Sequence, residues 1–240
     1  MLCYRLDGCN HHVSCQTEYL TAQNVFMVVP GMTYGEIVSE IKKDIPYVLD
    51  VSDKKEGKVR RAILKSSIFP VRLFSFVTSK NRNRWMLLWE ACGKKSIGDN
   101  VLFSMVCIVN NSNGRMAIMP SFHNTGEPTF FIFLPHFFQR FANRMGIKLS
   151  GEELIKRYFQ YNPNFSIDTK KEMVTDKQYA IRASGTSTDG IALGYQLLDG
   201  SFFFKTFITY DMAKGEQLKE FFESEERRKR NHEDFLNMII

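Results

Sequence analysis

A histidine and two arginines at helical spacing, His136, Arg140 and Arg144, are the residues best suited by type and interval to act on a phosphodiester. At i, i+4 and i+8 they share one stripe of a helix. An imidazole takes up and returns protons near neutral pH, and guanidinium groups grip phosphate oxygens in a fork. The segment Phe202–Tyr210 alternates, which places Phe203, Lys205, Phe207 and Thr209 on one strand face, with Arg182 on a neighbouring strand. His136 as base, Arg140, Arg182 and Lys205 as cations and Thr209 as hydroxyl suffice to cut RNA through its 2′-OH without a metal. The base removes the 2′ proton and the cations stabilise charge on the phosphorane. The same residues admit a plainer reading. His136 beside Pro135 then bonds a backbone group at a helix start, Arg140 and Arg144 form the face opposite Phe137, Phe138 and Phe141, and Lys205 snorkels from a sheet edge.

Charge is distributed unevenly along the 240 residues, whose net charge is +6. Residues 1–32 sum to −1, residues 33–120 to +7 and residues 121–240 to zero. Attraction for a polyanion therefore belongs to the middle third. Within it, Lys54, Lys58, Arg61 and Lys65 follow i, i+4, i+7 and i+11, one face of a single helix. Lys80, Arg82, Arg84, Lys94 and Lys95 form a second cluster on a turn and a strand end. Two readings stand for these cations: phosphate contacts, with Lys54, Lys58, Arg61, Lys65, Arg82, Arg84 and Arg144 as the nucleic-acid-binding set, or solvated surface opposite Ala62 and Ile63.

Other motifs fail on spacing. Cys3, Cys9, His11, His12 and Cys15 crowd the N-terminus as C-x₅-C-x-H-H-x₂-C, which matches no standard zinc knuckle, so no metal site is expected. Gly93-Lys94-Lys95-Ser96 lacks the earlier glycine of a phosphate loop, since Leu88 stands there. Gly185–Gly190 is a turn between strands, and His123 with Asn124 and Glu127 is too sparse for a metal. No cofactor is implied. Five cysteines and no export signal predict free thiols in a cytoplasmic protein, and Cys92 and Cys107 read as core. The longest apolar runs, Val101–Val109 and Phe130–Phe138, fall far short of the roughly 20 residues of a membrane-spanning helix.

The elements that must position these side chains follow from periodicity. Tyr34, Ile37, Val38 and Ile41 open a helix that Ile45-Pro46 is expected to stop, and a second helix is predicted over Ser52–Ser67. Strands are predicted at Arg72–Thr78, Arg84–Ala91, Val101–Val109, Arg115–Pro120 and Thr129–Leu134, the middle pair joined through Asn113-Gly114. Pro135 suits the first turn of a helix that Gly146 ends, and Ser150 with Glu153 reads as a capping box for the next. Phe165–Lys170, Gln178–Ala183, Ile191–Leu198 and Phe202–Tyr210 read as strands. A final helix runs from about Met212 with Leu218, Phe221 and Phe222 inward. Its charged segment Glu223–Arg230 is a solvated face, and the apolar end Phe235–Ile240 calls for cover by the body or by a protein partner.

From Thr129 onward the order is strand, helix, helix, four strands, helix, with His136 opening Leu134-Pro135-His136-Phe137-Phe138-Gln139-Arg140-Phe141-Ala142-Asn143-Arg144. This order over residues 129–211 resembles the RelE-like, or barnase–EndoU–colicin–RelE, group of RNase toxins. The resemblance implies a helix pair on an antiparallel sheet and metal-independent endoribonuclease activity, although that fold also carries non-catalytic members. The whole chain also resembles bacterial proteins of Bacteroides type to which no activity attaches.

The expected fold is α+β: an N-terminal helix pair on a β-meander, then a helix pair packed on a four- to five-stranded antiparallel sheet, and a C-terminal helix. Residues 1–31 read as a loose extension, 32–122 as the first unit and 123–240 as the second, merging into one domain if the sheets join. The expected function is nucleic-acid-directed, with a metal-independent endoribonuclease as its catalytic form and RNA as partner. The alternative is a non-enzymatic protein-interaction module using the apolar C-terminus.

Overall fold

The computed structural model describes residues 27–29, 32–95, 101–111, 114–122, 127–175 and 178–239. The cysteine–histidine cluster at 3–15, His123 and the side chains of 235–240 lie outside the described residues. The strands are β1 (Met27–Val29), β2 (Met32–Thr33), β3 (Val71–Thr78), β4 (Arg84–Ala91), β5 (Leu102–Asn111), β6 (Gly114–Ser121), β7 (Thr129–Phe133), β8 (Ser166–Thr175), β9 (Gln178–Thr186), β10 (Ile191–Gln196) and β11 (Phe202–Ile208). The helices are α1 (Tyr34–Asp53), α2 (Glu56–Lys65), α3 (Pro135–Met145), α4 (Gly151–Tyr161) and α5 (Glu216–Ile239). Of the residues expected as a loose extension, Met27–Val29 pair with Met32–Thr33 in a small two-stranded ribbon.

The expected two-sheet α+β arrangement is replaced by a single nine-stranded mixed sheet in the order β3-β4-β5-β6-β7-β11-β10-β9-β8. Neither half has a four- to five-stranded sheet of its own. The join is a parallel ladder in which Phe131, Ile132 and Phe133 of β7 face Phe202, Phe203 and Phe204 of β11. Helices cover both faces. Ile37, Ile41, Ile45 and Val48 of α1 and Val59 and Ile63 of α2 pack on Trp85, Leu87, Trp89, Met105, Cys107, Ile118 and Ile132. On the opposite face, Phe137, Phe138 and Phe141 of α3 and Leu154, Ile155, Tyr158 and Phe159 of α4 pack on Met86, Leu88, Val106, Ile108, Phe131, Phe133, Phe204 and Phe207. The period-two alternation of Trp85 through Trp89 thus feeds two separate cores. A strand buried on both faces reads as a continuous apolar run rather than an alternating one.

Four local expectations change. Helix α1 runs through Pro46, because a long buried stripe from Ile37 to Ser52 outweighs one missing N–H bond, a loss of roughly 3 kcal/mol. Its start is a complete capping box: the Thr33 N–H donates to Glu36 Oε2 at 2.6 Å and the Glu36 N–H donates to Thr33 Oγ1 at 3.4 Å. The Thr33 N–H first, and the Thr33 hydroxyl donating to the same oxygen at 2.9 Å second, hold the Glu36 carboxyl below its ordinary range. The α1–α2 boundary falls at Lys54 and Lys55, so the four-cation stripe is split: Lys54 closes α1 and only Lys58, Arg61 and Lys65 lie on α2. At α4, Ser150 is the N-cap but its side chain makes no capping bond.

The fourth change concerns the strand proposed to carry catalysis. Gly194 faces Phe204 while Leu193 faces Thr206, so Lys205 is the extra residue of a β-bulge. The bulge breaks the expected alternation: Phe203 faces the α1–α2 layer whereas Phe207 faces the α3–α4 layer. Strand β11 ends at Ile208, and Thr209 is the cap of a short 3₁₀ turn, Tyr210–Met212. Helix α5 then lies on the α1–α2 face over the far half of the sheet, its Phe221 clustered with Ile191 and Ala213, while Phe222 is 54% exposed rather than inward.

A Cβ at Gly194 would stand 1.8 Å from the Phe203 carbonyl oxygen, so the close approach of β10 and β11 at the bulge requires glycine. Gly194→Ala is expected to destabilise the fold by about 2–4 kcal/mol in urea unfolding. A loss under about 0.5 kcal/mol would show that the bulge relaxes freely.

Candidate functional site

The structure does not bring His136, Arg182 and Lys205 together. His136 is exposed at the first turn of α3, on the α3–α4 side of the sheet. Its Nε2 accepts a hydrogen bond from Arg140 Nε at 3.1 Å, so the lone pair a general base would use is engaged. Arg144 Nη1 donates to the Phe207 carbonyl oxygen, tying α3 to the end of β11. Burial first, and Arg140 beside it second, lower the Arg144 guanidinium from its ordinary value. This stripe is therefore stitched into the fold as well as exposed.

Arg182 and Lys205 do meet, on the other face. Paired residues of antiparallel strands share a face, so Asp168 with Ser184, and Lys170 with Arg182, point toward α5. With Tyr195, Thr206 and the α5 residues Glu220, Phe221, Glu223 and Arg227 they line a cleft of about 650 Å³. Lys205 Nζ stands 5.0 Å from the centre of the Tyr195 ring, a cation–π contact. The cleft is not an anion funnel. Arg182 pairs with Glu172, Arg227 with Asp168 at 2.5 Å and Lys170 with Glu220 at 3.4 Å. Three of its five cations are thus paired, two of them in bridges that join α5 to β8. Thr209 lies beyond the strand and lines neither the cleft nor the His136 stripe.

The cations proposed to contact phosphate divide by environment. Arg84 reaches Glu152 of α4 at 3.4 Å and lies 4.8 Å from the centre of the Phe76 ring, on the α3–α4 side. Arg82 is a left-handed turn residue with φ of 64° in the β3–β4 hairpin. Lys54 pairs with Asp50 at 2.5 Å. Helix α2 differs: Lys58, Arg60, Arg61 and Lys65 are exposed, and among the described residues none of them forms an ion pair. Val59 and Ile63 hold the helix against the sheet. That amphipathicity aims the cations outward.

Sequence reasoning passed over Asp44. Its carboxylate is 2% exposed yet accepts from Asn81 Nδ2 at 2.9 Å, Asn83 Nδ2 at 2.6 Å and Trp85 Nε1 at 3.2 Å. The signal was an acid within the buried stripe Ile37, Ile41, Ile45 and Val48, where solvation is lost. Burial first, and the Asp44 charge second, push the Cys107 thiol well above its ordinary value, which keeps it protonated. At the α5 interface, the Tyr210 hydroxyl donates to the Ser187 carbonyl at 2.6 Å, and Arg228 holds Glu225 at 2.7 Å. Burial, then Glu225, raise the Tyr210 hydroxyl well above its ordinary value, so it remains a donor.

No family model matches the chain, and no curated protein and no solved structure is similar to it. Among the described residues, no group of three histidine, cysteine, aspartate or glutamate side chains is arranged to hold a metal ion, and no helix is long and apolar enough to cross a membrane.

Removing the Asp44 carboxylate takes the acceptor from the buried Trp85 indole and from the Asn81 and Asn83 amides at the rim of the core. Asp44→Ala is expected to cost about 3 kcal/mol by chemical denaturation. Ser224→Ala should do the reverse, because the Ser224 hydroxyl is buried without a hydrogen-bond partner among the described residues. A gain of up to about 1 kcal/mol is expected there, and a loss of similar size would reveal a hidden bond.

Proposed function

We propose that this is a nucleic-acid-directed protein that binds phosphates on the outer face of α2 and does not cut the strand it holds. The carrying observation is the run Lys58, Arg60, Arg61 and Lys65 on a ten-residue helix whose acidic side chain is Glu56. These cations are exposed and without ion-pair partners among the described residues, whereas three of the five cations lining the α5 cleft, Lys170, Arg182 and Arg227, are paired with carboxylates. Unpaired surface cations release counterions from a polyanion on binding; matched ones have their partners already. The surplus of positive charge in residues 33–120 supports the same location.

The catalytic form of the reading has less support. Cleavage through the 2′-OH needs base and cations within hydrogen-bond reach of one phosphate. His136 stands on one side of the sheet and Arg182 and Lys205 on the other.

The test is anisotropy of a labelled single-stranded RNA titrated at several salt concentrations. The wild type should bind with a steep salt dependence and leave the RNA intact. Lys58→Glu with Arg61→Glu should weaken binding and flatten the log–log slope by about 1.5 to 2. Lys205→Ala should leave both unchanged. Absence of salt-dependent binding refutes the proposal, and loss of binding in Lys205→Ala alone moves the site to the cleft.

A further inference from the structure

Both cores run out to an open edge at β3. This strand pairs with β4 along its whole length, from Val71 opposite Ala91 to Thr78 opposite Arg84. Among the described residues, no backbone hydrogen bond outside that ladder involves residues 71–78. Val71, Leu73 and Val77 belong to the α1–α2 layer, and Phe74 and Phe76 to the α3–α4 layer. All are half-buried, whereas the neighbouring Trp85–Ala91 are fully buried. A long, apolar edge with free N–H and C=O groups is a template for another strand.

The opposite edge is built differently. Strand β8 carries Lys170, Lys171 and Glu172 in its middle, and charges of this kind discourage edge pairing. On β3 the charge is already neutralised within the chain. Arg72 pairs with the buried Glu90 at 2.6 Å. Lys156 and Arg84, which stand over the Phe74 and Phe76 rings, pair with Glu153 and Glu152.

The sequence Val71-Arg72-Leu73-Phe74-Ser75-Phe76-Val77-Thr78 is also complementary to itself. When two copies run antiparallel about an axis at Ser75, Leu73 meets Val77, Phe74 meets Phe76 and Arg72 meets Thr78. No charge opposes a like charge. Leu73 and Val77, and Phe74 and Phe76, each meet within one layer, so both cores continue across the axis, and only Val71 at the strand's start falls opposite a polar residue, Ser79. The contact is isologous and closed, as a two-fold dimer requires.

We propose that β3 is a dimerisation edge at which a second copy of this chain pairs antiparallel about Ser75. Because Ser75 lies on the axis, any charge placed there opposes itself. In sedimentation velocity from the low micromolar range upward, the wild type should form a concentration-dependent dimer. Ser75→Lys and Ser75→Glu should each raise the dimer dissociation constant by about tenfold, with circular dichroism unchanged. An equimolar mixture of the two should restore the dimer, because opposite charges then face each other. That rescue separates pairing at Ser75 from general damage to the fold. A wild type that stays monomeric overturns the proposal, as does a dimer indifferent to both variants. A monomer whose amides in 71–78 are nevertheless protected from hydrogen exchange overturns it too, by assigning the edge to another segment of the chain.

Discussion

The three-residue parallel ladder between β7 and β11 decides the architecture. It joins strands 71 residues apart in sequence, and a parallel pair needs a long crossover, here α3, α4 and β8 to β10. Such a contact closes a large loop before any reward arrives, so its side chains must return a great deal. They do so through aromatic packing. Phe131 stacks on Phe202 with centroids 5.3 Å apart, Phe133 lies 5.0 Å from Phe204, and Phe165 closes edge-on against Phe131 at 5.1 Å. Backbone bonds fix the register: the Leu134 N–H donates to the Phe204 carbonyl at 3.1 Å and the Phe130 N–H to Ser201 Oγ at 3.0 Å. With the seam in place, α3 sits beside β11, and the sheet beyond it is carried to where α5 can cover it.

A second constraint, the Asp44 carboxylate, works at the other end of the sheet. A buried charge is tolerated when donors surround it and is costly when they do not. All three of its donors come from Asn81, Asn83 and Trp85, at the β3–β4 turn and the start of β4. One side chain of α1 therefore orients the hairpin that presents the open edge. The α5 cleft shows the opposite economy: Arg227 and Lys170 hold their partners at half-exposed positions, where each pair contributes little. Helix α5 depends more on Phe221 and on the Tyr210–Glu225–Arg228 group than on those pairs.

Much of the local structure was legible in the sequence. Asn111 pairs with Gly114 where β5 and β6 join as a hairpin, Pro135 and Gly146 bound α3, and Phe137, Phe138 and Phe141 face the core as their spacing requires. What periodicity could not convey was the partner of each strand. The run Phe202-Phe203-Phe204 was read as an alternating half-buried strand, when three consecutive phenylalanines mark a central strand buried on both faces. The bulge at Lys205 has no signature in β11 itself; the glycine that permits it, Gly194, is on the neighbouring strand. A one-residue insertion moves every later side chain to the other face, so the proposed grouping of Lys205 with Phe203, Phe207 and Thr209 failed at that point. His136, Arg140 and Arg144 were correctly placed on one helix. Which side of the sheet that helix would cover is a tertiary fact the spacing does not encode.

Because helices cover much of both sheet faces, recognition by this protein is confined to three kinds of surface: outer helix faces, strand edges and the gap under α5. Charge matching decides among them. The gap pairs Lys170, Arg182 and Arg227 with carboxylates, and β8 carries charges that discourage a further strand. Among the described residues, α2 presents cations lacking ion-pair partners, and β3 presents apolar side chains and an unpaired backbone edge. These two surfaces differ in the force they offer, one long-range and salt-dependent, the other short-range and dependent on register. They also adjoin in sequence, since residues 66–70 lead directly from α2 into β3. Pairing at β3 would therefore bring two copies of α2 into one particle. For a polyanion, two linked basic helices raise the effective concentration of the second contact without any new contact being made. An isolated α2 face with four cations would offer a polyanion few contacts; doubled by the proposed pairing at β3, the same residues would offer twice as many.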